Sequence, residues 1–400
     1  MVKRRFPIPL FQNISTPFYY YDTDLLQETL QAIRTEIAAY PHYKVHYAVK
    51  ACANPEILRL ICQTGFGADC VSGGEIKAAL SAGFPATSIV YAGVGKADWE
   101  IELALKAGIE YFNVESIEEL GIISEIAEKM NREARVSFRI NPNVGAHTHA
   151  NITTGLAENK FGIAMHDMEK VIQRALSLPC IKFVGLHFHI GSQILEMEDF
   201  VALCQRINEL QARLEKESLT PLCHINVGGG LGIDYEHPDT NPVPDFKAYF
   251  NTYTTHLLLR SGQELHFELG RAVVGQCGSL VTRCLYIKKT DNKQFAIVDA
   301  GMTDLIRPAL YGALHRIDNL TSQAAAEEEE EIYDVVGPIC ESSDVFANGY
   351  SLPKTQRGDL LAVRSAGAYG EIMASQYNCR TLPKGYTSEQ LNEHNSEMKS

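Results

Sequence analysis

Eight short apolar runs punctuate the first two-thirds of the chain. They are VHYAVKA (45–51), GADCV (67–71), SIVYAG (88–93), YFNV (111–114), RVSFRI (135–140), KFVGLHFHI (182–190), HINVGGG (224–230) and ELHFELG (264–270). Each is short and β-rich and reads as a strand. Between them the period changes. PEILRLICQTG (55–65), GEIKAALSAG (74–83), WEIELALKAG (99–108) and SIEELGIISEIAEKM (116–130) carry apolar residues at i, i+3 and i+4, and several stop at glycine as helices commonly do. Strand and helix alternating eight times predict α/β structure, a (β/α)8 TIM-like barrel spanning 23–272; an open doubly wound sheet is the alternative this pattern leaves. Barrel chemistry gathers at the C-terminal ends of the strands. There the runs end on Lys50, Asp69, Glu115, Arg139, His189, Gly228–Gly230 and Glu268.

Beyond about residue 275 the helical period fades. SLVTRCLYIKK (279–289), QFAIVDAGM (294–302), IYDVVGP (332–338) and DLLAVRSAGAYG (359–370) are β-rich and joined by Gly, Pro, Asn and Asp. They predict a C-terminal, mostly antiparallel β domain over 273–400. TPFYYYD (16–22) is also strand-like, so residues 1–22 are assigned to the same domain. The acidic run QAAAEEEEE (323–331) reads as a solvated loop, and the polar tail after about 384 as frayed. Whether 143–160 forms a lid is left open by the pattern.

Composition narrows the partners. Four hundred residues, 45% hydrophobic and 21% charged, suit two globular domains with a core large enough to need neither disulfides nor a structural metal. A net charge of −13 argues against nucleic acid, which requires clustered Lys and Arg, but leaves room for a small anion held by local arginines. The start, MVKRRFPIPLFQ, lacks the apolar stretch of a secretory signal, and no 18-residue apolar window occurs. Ten cysteines at irregular spacing, with no C-x-x-C pair, then read as reduced thiols in a cytoplasmic protein, most of them buried.

Several motifs carry candidate chemistry. Lys50, at the end of the first run, is placed where partial desolvation lowers an amine's pKa and makes it a nucleophile; the alternative is a solvated lysine. VGGGLGIDY (227–235) offers three consecutive glycines whose amides can approach an oxyanion, after the strand where barrels often hold phosphate; the alternative is a plain turn. In HFHIGSQI (187–194), His187 and His189 share a strand face, but no third ligand follows at metal spacing, and AHTHA (146–150) is equally weak, so no metal is expected. His189 could instead stack on a planar ring and Ser192 donate to phosphate. HFELGR (266–271) pairs Glu268 with Arg271, either as a surface ion pair or as a carboxylate and a cation facing a cofactor. In the second domain, Arg307 of RPALY suits a carboxylate, Cys340 beside Glu341 is a possible proton donor or a core thiol, and Tyr369 of AGAYG can reach a ligand.

Taken in order, YAVKA-x-ANP, GADCVSGGE, HIGSQI, VGGGLGIDY, E-x-GR, RPALY, GPICES-x-D and AGAYG resemble the alanine-racemase-like group (fold type III) of pyridoxal-phosphate enzymes, from about residue 15 to 380. Within that group the likeness is to the branch that decarboxylates meso-diaminopimelate to L-lysine. The resemblance implies pyridoxal 5'-phosphate carried on Lys50, with Asp69 in the cofactor site, His189 stacked on the ring and Glu268 at the ring nitrogen. Ser192, Gly229, Gly230, Gly270 and Tyr369 would surround the phosphate. Arg271, Arg307, Tyr311, Glu341 and Tyr369 would hold substrate, and Cys340 would protonate the carbon that loses its carboxylate. It also implies a homodimer in which Cys340 and Glu341 reach the partner's site. Two departures stand out: Cys52 replaces an Asn in KACANP, and Leu269 replaces a Pro in ELGR, where a looser turn aiming Arg271 is expected.

Charge supports this chemistry apart from the likeness. A carboxylate at the pyridine nitrogen keeps it protonated and makes the ring a strong electron sink, which decarboxylation needs and racemisation does not. Two arginines suit a distal carboxylate, and Glu341 suits a distal amine. The rivals are a decarboxylase for ornithine or a carboxylated polyamine, a cofactor-binding protein without activity, and a barrel metal hydrolase.

Overall fold

The computed structural model describes residues 6–145, 160–219, 222–322 and 330–397. The chain divides into two compact units, one of Leu30–Gly232 with Asp245–Arg271, the other of Met1–Thr29, Ile233–Pro244 and Ala272–Ser400. The segment 233–244, which the strand–helix pattern places inside the barrel, thus clusters with the β unit.

In the first unit eight parallel strands pair in chain order: Tyr43–Ala48, Gly67–Cys70, Ile89–Tyr91, Tyr111–Val114, Ala134–Asn141, Ile181–His187, His224–Asn226 and Glu264–Leu269. The eighth pairs with the first, Leu265 opposite Tyr43 and Leu269 opposite Tyr47, and this closes the barrel and removes the open-sheet alternative. The strands read as apolar runs because closure covers both of their faces. Helices follow most strands, and side chains start them. Asn54, Ser72, Ser116 and Asp245 accept from the amides of Glu56, Glu75, Glu119 and Ala248. Gly108, at φ +73°, ends the helix Asp98–Ala107 in the left-handed conformation that glycine adopts without a Cβ clash.

The barrel interior holds histidines where branched aliphatics usually pack. Tyr111 stacks on His224 (ring centroids 4.3 Å apart), His224 on His266 (4.6 Å), and His46 lies 5.1 Å from His266. All four are buried. Two glycines make room for them. A Cβ at Gly67 would lie 2.4 Å from His46 Nδ1, and one at Gly185 would lie 2.6 Å from His224 Cδ2.

The second unit is an eight-stranded, mostly antiparallel sheet. Its longest strand, Gly278–Lys289, pairs antiparallel with Phe18–Tyr21, Gln294–Val298 and Leu360–Val363. The tail departs from expectation. Lys384–Thr387 is a strand parallel to Phe18–Tyr21, and a helix, Ser388–Glu397, follows it. Apolar anchors explain the order of this polar segment. Tyr386 packs edge-on against Phe18, and Leu391 is buried in a cluster with Phe11, Phe18 and Val281. The acidic run also ends in structure, since Glu330 and Glu331 open the strand Glu330–Val336; residues 323–329 lie outside the described residues, as do AHTHA and most of 143–160. All ten cysteines are free, but only Cys52, Cys70, Cys204, Cys277 and Cys284 are buried, fewer than the composition suggested. Among the described residues no helix is long and apolar enough to cross a membrane.

Candidate active site

The C-terminal mouth of the barrel gathers the expected polar residues. Lys50 sits just past the first strand in a single 3-10 turn, Val49–Ala51. Its ammonium donates to Asp69 Oδ2 at 2.5 Å, and Asp69, at the end of the second strand, is fully buried. Burial, with Glu268 nearby, pushes the Asp69 carboxyl up, and Lys50 pulls it back. The other oxygen of Asp69 is buried with no hydrogen-bond partner among the described residues.

Glu268 stands near the end of the eighth strand, 7% exposed, and three donors from three other strands converge on it. Oε1 accepts from Asn226 Nδ2 at 2.8 Å and Asn113 Nδ2 at 3.1 Å; Oε2 lies 3.0 Å from His187 Nε2. Burial, the largest single influence, opposes its charge, but the attraction and hydrogen bond of His187 together with Lys50 outweigh it, and the carboxyl is held well below the usual range. Since a carboxylate only accepts, His187 presents an N–H at Nε2, while its buried Nδ1 has no partner among the described residues. Asn113 and Asn226 were missed from the sequence. Their signal was faint: each is the third residue of its run, YFNV and HINV, on the same inward side as Tyr111 and His224.

Beside these groups lies a backbone cradle. A Cβ at Gly229 would fall 1.9 Å from the carbonyl oxygen of Glu268, so glycine alone fits there. Gly228 (φ +68°) and Gly230 (φ +109°) are left-handed, and their carbonyls are tied to the amides of Glu268 and Ile194. Gly270 packs tightly, a Cβ there lying 3.0 Å from Ala48 Cβ. The amide of Gly229 points to His189 Nδ1 at 3.4 Å. Burial, then Arg139 and Lys50, push His189 well below its ordinary range, so its ring is neutral at neutral pH. Arg271 is buried and donates to Ser192 Oγ at 3.1 Å, so Leu269 does not leave the arginine swinging freely. Further round the mouth, Arg139 pairs with Glu115 at 2.9 Å, and Lys96, another residue not foreseen, pairs with Glu119 at 2.6 Å and caps the carbonyls of Gly93 and Asn113.

The remaining expected residues belong to the β unit. Arg307 is buried at the start of the helix Arg307–Tyr311, with its guanidinium 5.2 Å from the ring of Tyr235 and 5.8 Å from that of Tyr311. Its Nε donates to His315 Nε2 at 3.3 Å. Cys340 and Glu341 are exposed on one turn; the Cys340 amide donates to Asn378, and the phenol of Tyr377 donates to Glu341 at 2.8 Å. Tyr369 holds a left-handed backbone (φ +56°) between Ala368 and Gly370, and a Cβ at Gly370 would lie 2.3 Å from the Ala366 carbonyl. The exposure of Cys340 removes the core-packing alternative.

The barrel residues fit the group that the sequence resemblance implies. An amine, a clamped anionic carboxylate, a neutral imidazole and a side-chain-free cradle with Ser192 and Arg271 match an aldehyde, a ring nitrogen, a ring face and a phosphate. The second oxygen of Asp69, buried and without a partner among the described residues, is a further acceptor.

Comparison with known proteins agrees. Residues 24–275 match the family model of the pyridoxal-dependent decarboxylase, pyridoxal binding domain. A diaminopimelate decarboxylase of Bacteroides thetaiotaomicron is 66% identical over 98% of this chain and 100% of its own, and that of Aquifex aeolicus is 40% identical over 93% and 86%. The crystal structure of the Helicobacter pylori diaminopimelate decarboxylase complexed with L-lysine superposes with a TM-score of 0.86 at 39% identity, covering 98% of this chain and 99% of that one. This chain therefore belongs to the diaminopimelate decarboxylases, a branch of the pyridoxal-dependent decarboxylase family.

Proposed function

We propose that the protein removes one carboxylate of meso-2,6-diaminopimelate, yielding L-lysine and carbon dioxide, the last step of lysine biosynthesis, with pyridoxal 5'-phosphate as cofactor. The observation that carries this reading is the ionised Glu268 held by Asn113, Asn226 and His187 at the same mouth as Lys50 and Asp69. When bound, pyridoxal phosphate supplies an electron sink for the pair left behind as carbon dioxide departs. Lys50 provides the amine that carries it. Glu268 would keep the ring nitrogen protonated, and His189, neutral, would cover a ring face without adding a charge. Ser192, Gly229, Gly230, Gly270 and Arg271 would hold the phosphate, and Tyr369 is proposed for the same role on the family likeness.

Substrate choice falls to the other unit. Arg307, already oriented by Tyr235, Tyr311 and His315, is proposed to take the distal carboxylate, and the family likeness adds Tyr311 and Arg271 as substrate-binding residues. Glu341 takes the distal ammonium, and Cys340 gives a proton to the decarboxylated carbon. Their exposed turn supports a homodimer in which they serve the partner's site.

The test is lysine formation from meso-diaminopimelate, with ornithine as the competing substrate. A charge-assisted contact is worth ~1.5–3 kcal/mol, so Arg307→Ala should lower kcat/KM for diaminopimelate by ~10- to 150-fold and barely change ornithine turnover. An equal loss on both would refute the assignment of Arg307 to the distal carboxylate.

A further inference from the structure

A run of hydrogen bonds passes through the barrel interior and is not used by the chemistry above. Glu264, His266 and Glu268 stand at positions i, i+2 and i+4 of the eighth strand, so their side chains share one face of it. His266 Nε2 lies 3.2 Å from Glu264 Oε2; a carboxylate only accepts, so Nε2 carries the proton and Nδ1 is the lone pair. That contact, first among several, holds the Glu264 carboxyl below its ordinary range, so it is ionised at neutral pH. Tyr111, on the fourth strand, donates to His266 Nδ1 at 2.8 Å. Burial pushes its phenol well up, so Tyr111 keeps the proton it donates. The Tyr111 oxygen in turn accepts from Asn226 Nδ2 at 3.2 Å, and the other N–H of that amide goes to Glu268 Oε1 at 2.8 Å. Asn226 Oδ1 accepts from the amide of Gly228 at 2.9 Å. Every polar atom of the Asn226 side chain is thereby used. Flipping the amide would set donor against donor at Gly228 and acceptor against acceptor at Glu268. His46 Nε2 also lies 3.2 Å from His266 Nδ1, but that lone pair already accepts from Tyr111. Burial lowers His46 to about 3, so it stands beside the chain as a neutral ring.

We infer that Tyr111, backed by His266, is a positioning residue for the reaction: it holds Asn226 in the one orientation that serves Glu268 and the glycine cradle together. The inference rests on the role proposed above for Glu268. Asn226 is fully buried, so an N–H deprived of the Tyr111 oxygen finds no water to replace it. Turning the amide toward another acceptor breaks its bond to Gly228 or to Glu268, and either break loosens one part of the mouth. Tyr111 is itself held by stacking on His224, which stacks in turn on His266. His266 orients the phenol, because with its proton on the Glu264 side it offers Tyr111 a lone pair. The donors all point one way, from Asn226 to Tyr111 to His266 to the carboxylate of Glu264. Each bond therefore polarises the next and strengthens the hold on Asn226. Residues of the fourth, seventh and eighth strands meet in this chain, which runs from the start of the eighth strand to the carboxylate near its end.

The experiment compares the full-length wild type with Tyr111→Phe, His266→Phe and the double variant. Phenylalanine keeps a ring in the stack and removes the hydroxyl of Tyr111 or the ring nitrogens of His266. Each protein is titrated with pyridoxal 5'-phosphate by absorbance, and kcat and KM for meso-diaminopimelate are measured at saturating cofactor. Melting temperature reports folding. A neutral hydrogen bond is worth a factor of about 2 to 10, so Tyr111→Phe should bind the cofactor more weakly by that factor. Its kcat should fall similarly, with KM changed by less than about twofold. His266→Phe should show a smaller loss in the same two quantities. Because both residues act through Asn226, the double variant should fall no more than about twofold below Tyr111→Phe. A merely structural role would lower the melting temperature and leave affinity and kcat of the folded enzyme unchanged. Wild-type affinity and kcat in Tyr111→Phe, or losses that multiply in the double variant, would overturn the inference. Should Tyr111→Phe not fold, His266→Phe decides by the same two readouts. If the wild type binds the cofactor but makes no lysine, the proposed reaction fails instead, and the cofactor affinities alone decide the role of Tyr111.

Discussion

Glu268→Gln isolates the charge at the centre of the proposed chemistry. The substitution keeps the shape of the side chain and, as the geometry shows, can keep its contacts. The carboxamide oxygen can take the place of Oε1 and accept from Asn226 and Asn113 at 2.8 and 3.1 Å. Its NH2 then faces His187 Nε2, and His187 can receive that hydrogen bond by moving its proton to Nδ1, which is unpartnered in the native arrangement among the described residues. The cost is the Nδ1 proton, now a buried donor without a partner among the described residues, so the fold should survive with a loss in stability of about 1–3 kcal/mol. What disappears is the negative charge that keeps the ring nitrogen protonated. A charge-assisted hydrogen bond is worth ~1.5–3 kcal/mol, and each 1.36 kcal/mol is a factor of ten in rate. We therefore expect kcat for diaminopimelate to fall by ~10- to 150-fold, with KM changed by less than about threefold, because Glu268 acts on the transition state rather than on substrate binding. Steady-state lysine production, with cofactor occupancy checked by absorbance, measures this. A kcat within about threefold of wild type at full occupancy would refute the role given to Glu268.

Two further outcomes test the packing. Gly67→Ala places a methyl 2.4 Å from both His46 Nδ1 and the Ser88 carbonyl, so it should lower stability by ~1–3 kcal/mol, read as a lower urea midpoint at unchanged slope. Glu75, which accepts from the amide of Val71, is pushed up to about 7 by burial, from an ordinary 4.5. A carboxyl raised in the folded state ionises first in the unfolded chain, so its contribution to stability falls as pH rises from about 4.5 to about 7 and is level above that. Glu75→Gln, whose amide oxygen can still accept from Val71, should match wild type near the bottom of that window and exceed it above the top by up to ~3 kcal/mol, measured by chemical denaturation across pH.

The barrel was readable from the sequence because its physics is local. Strands covered on both faces show up as apolar runs, and the helices between them show their period and their Asn, Ser and Asp caps. Strand ends then pointed to Lys50, Asp69 and Glu268 without any knowledge of the fold beyond its closure. What was hidden depends on closure itself. Asn113 and Asn226 reach Glu268 from strands 155 and 42 residues away in the chain, and nothing nearby in the sequence marks them as its clamp. Gly67 and Gly185 look like ordinary strand glycines, and only the closed barrel shows that each vacates space for a histidine from another strand. The tail misled for a related reason: Tyr386 and Leu391 are two isolated apolar positions in a polar segment, and their partners Phe18 and Phe11 lie near the other end of the chain.

The central claim is that Lys50 carries the cofactor. Reducing the purified protein with borohydride, digesting it and mapping the modified lysine by mass spectrometry tests this directly. The account predicts that the reduced cofactor is fixed on the peptide holding Lys50, that visible absorbance and lysine formation are lost together, and that Lys50→Ala takes up no borohydride-fixable label. A label on another lysine, or undiminished labelling of Lys50→Ala, would contradict it.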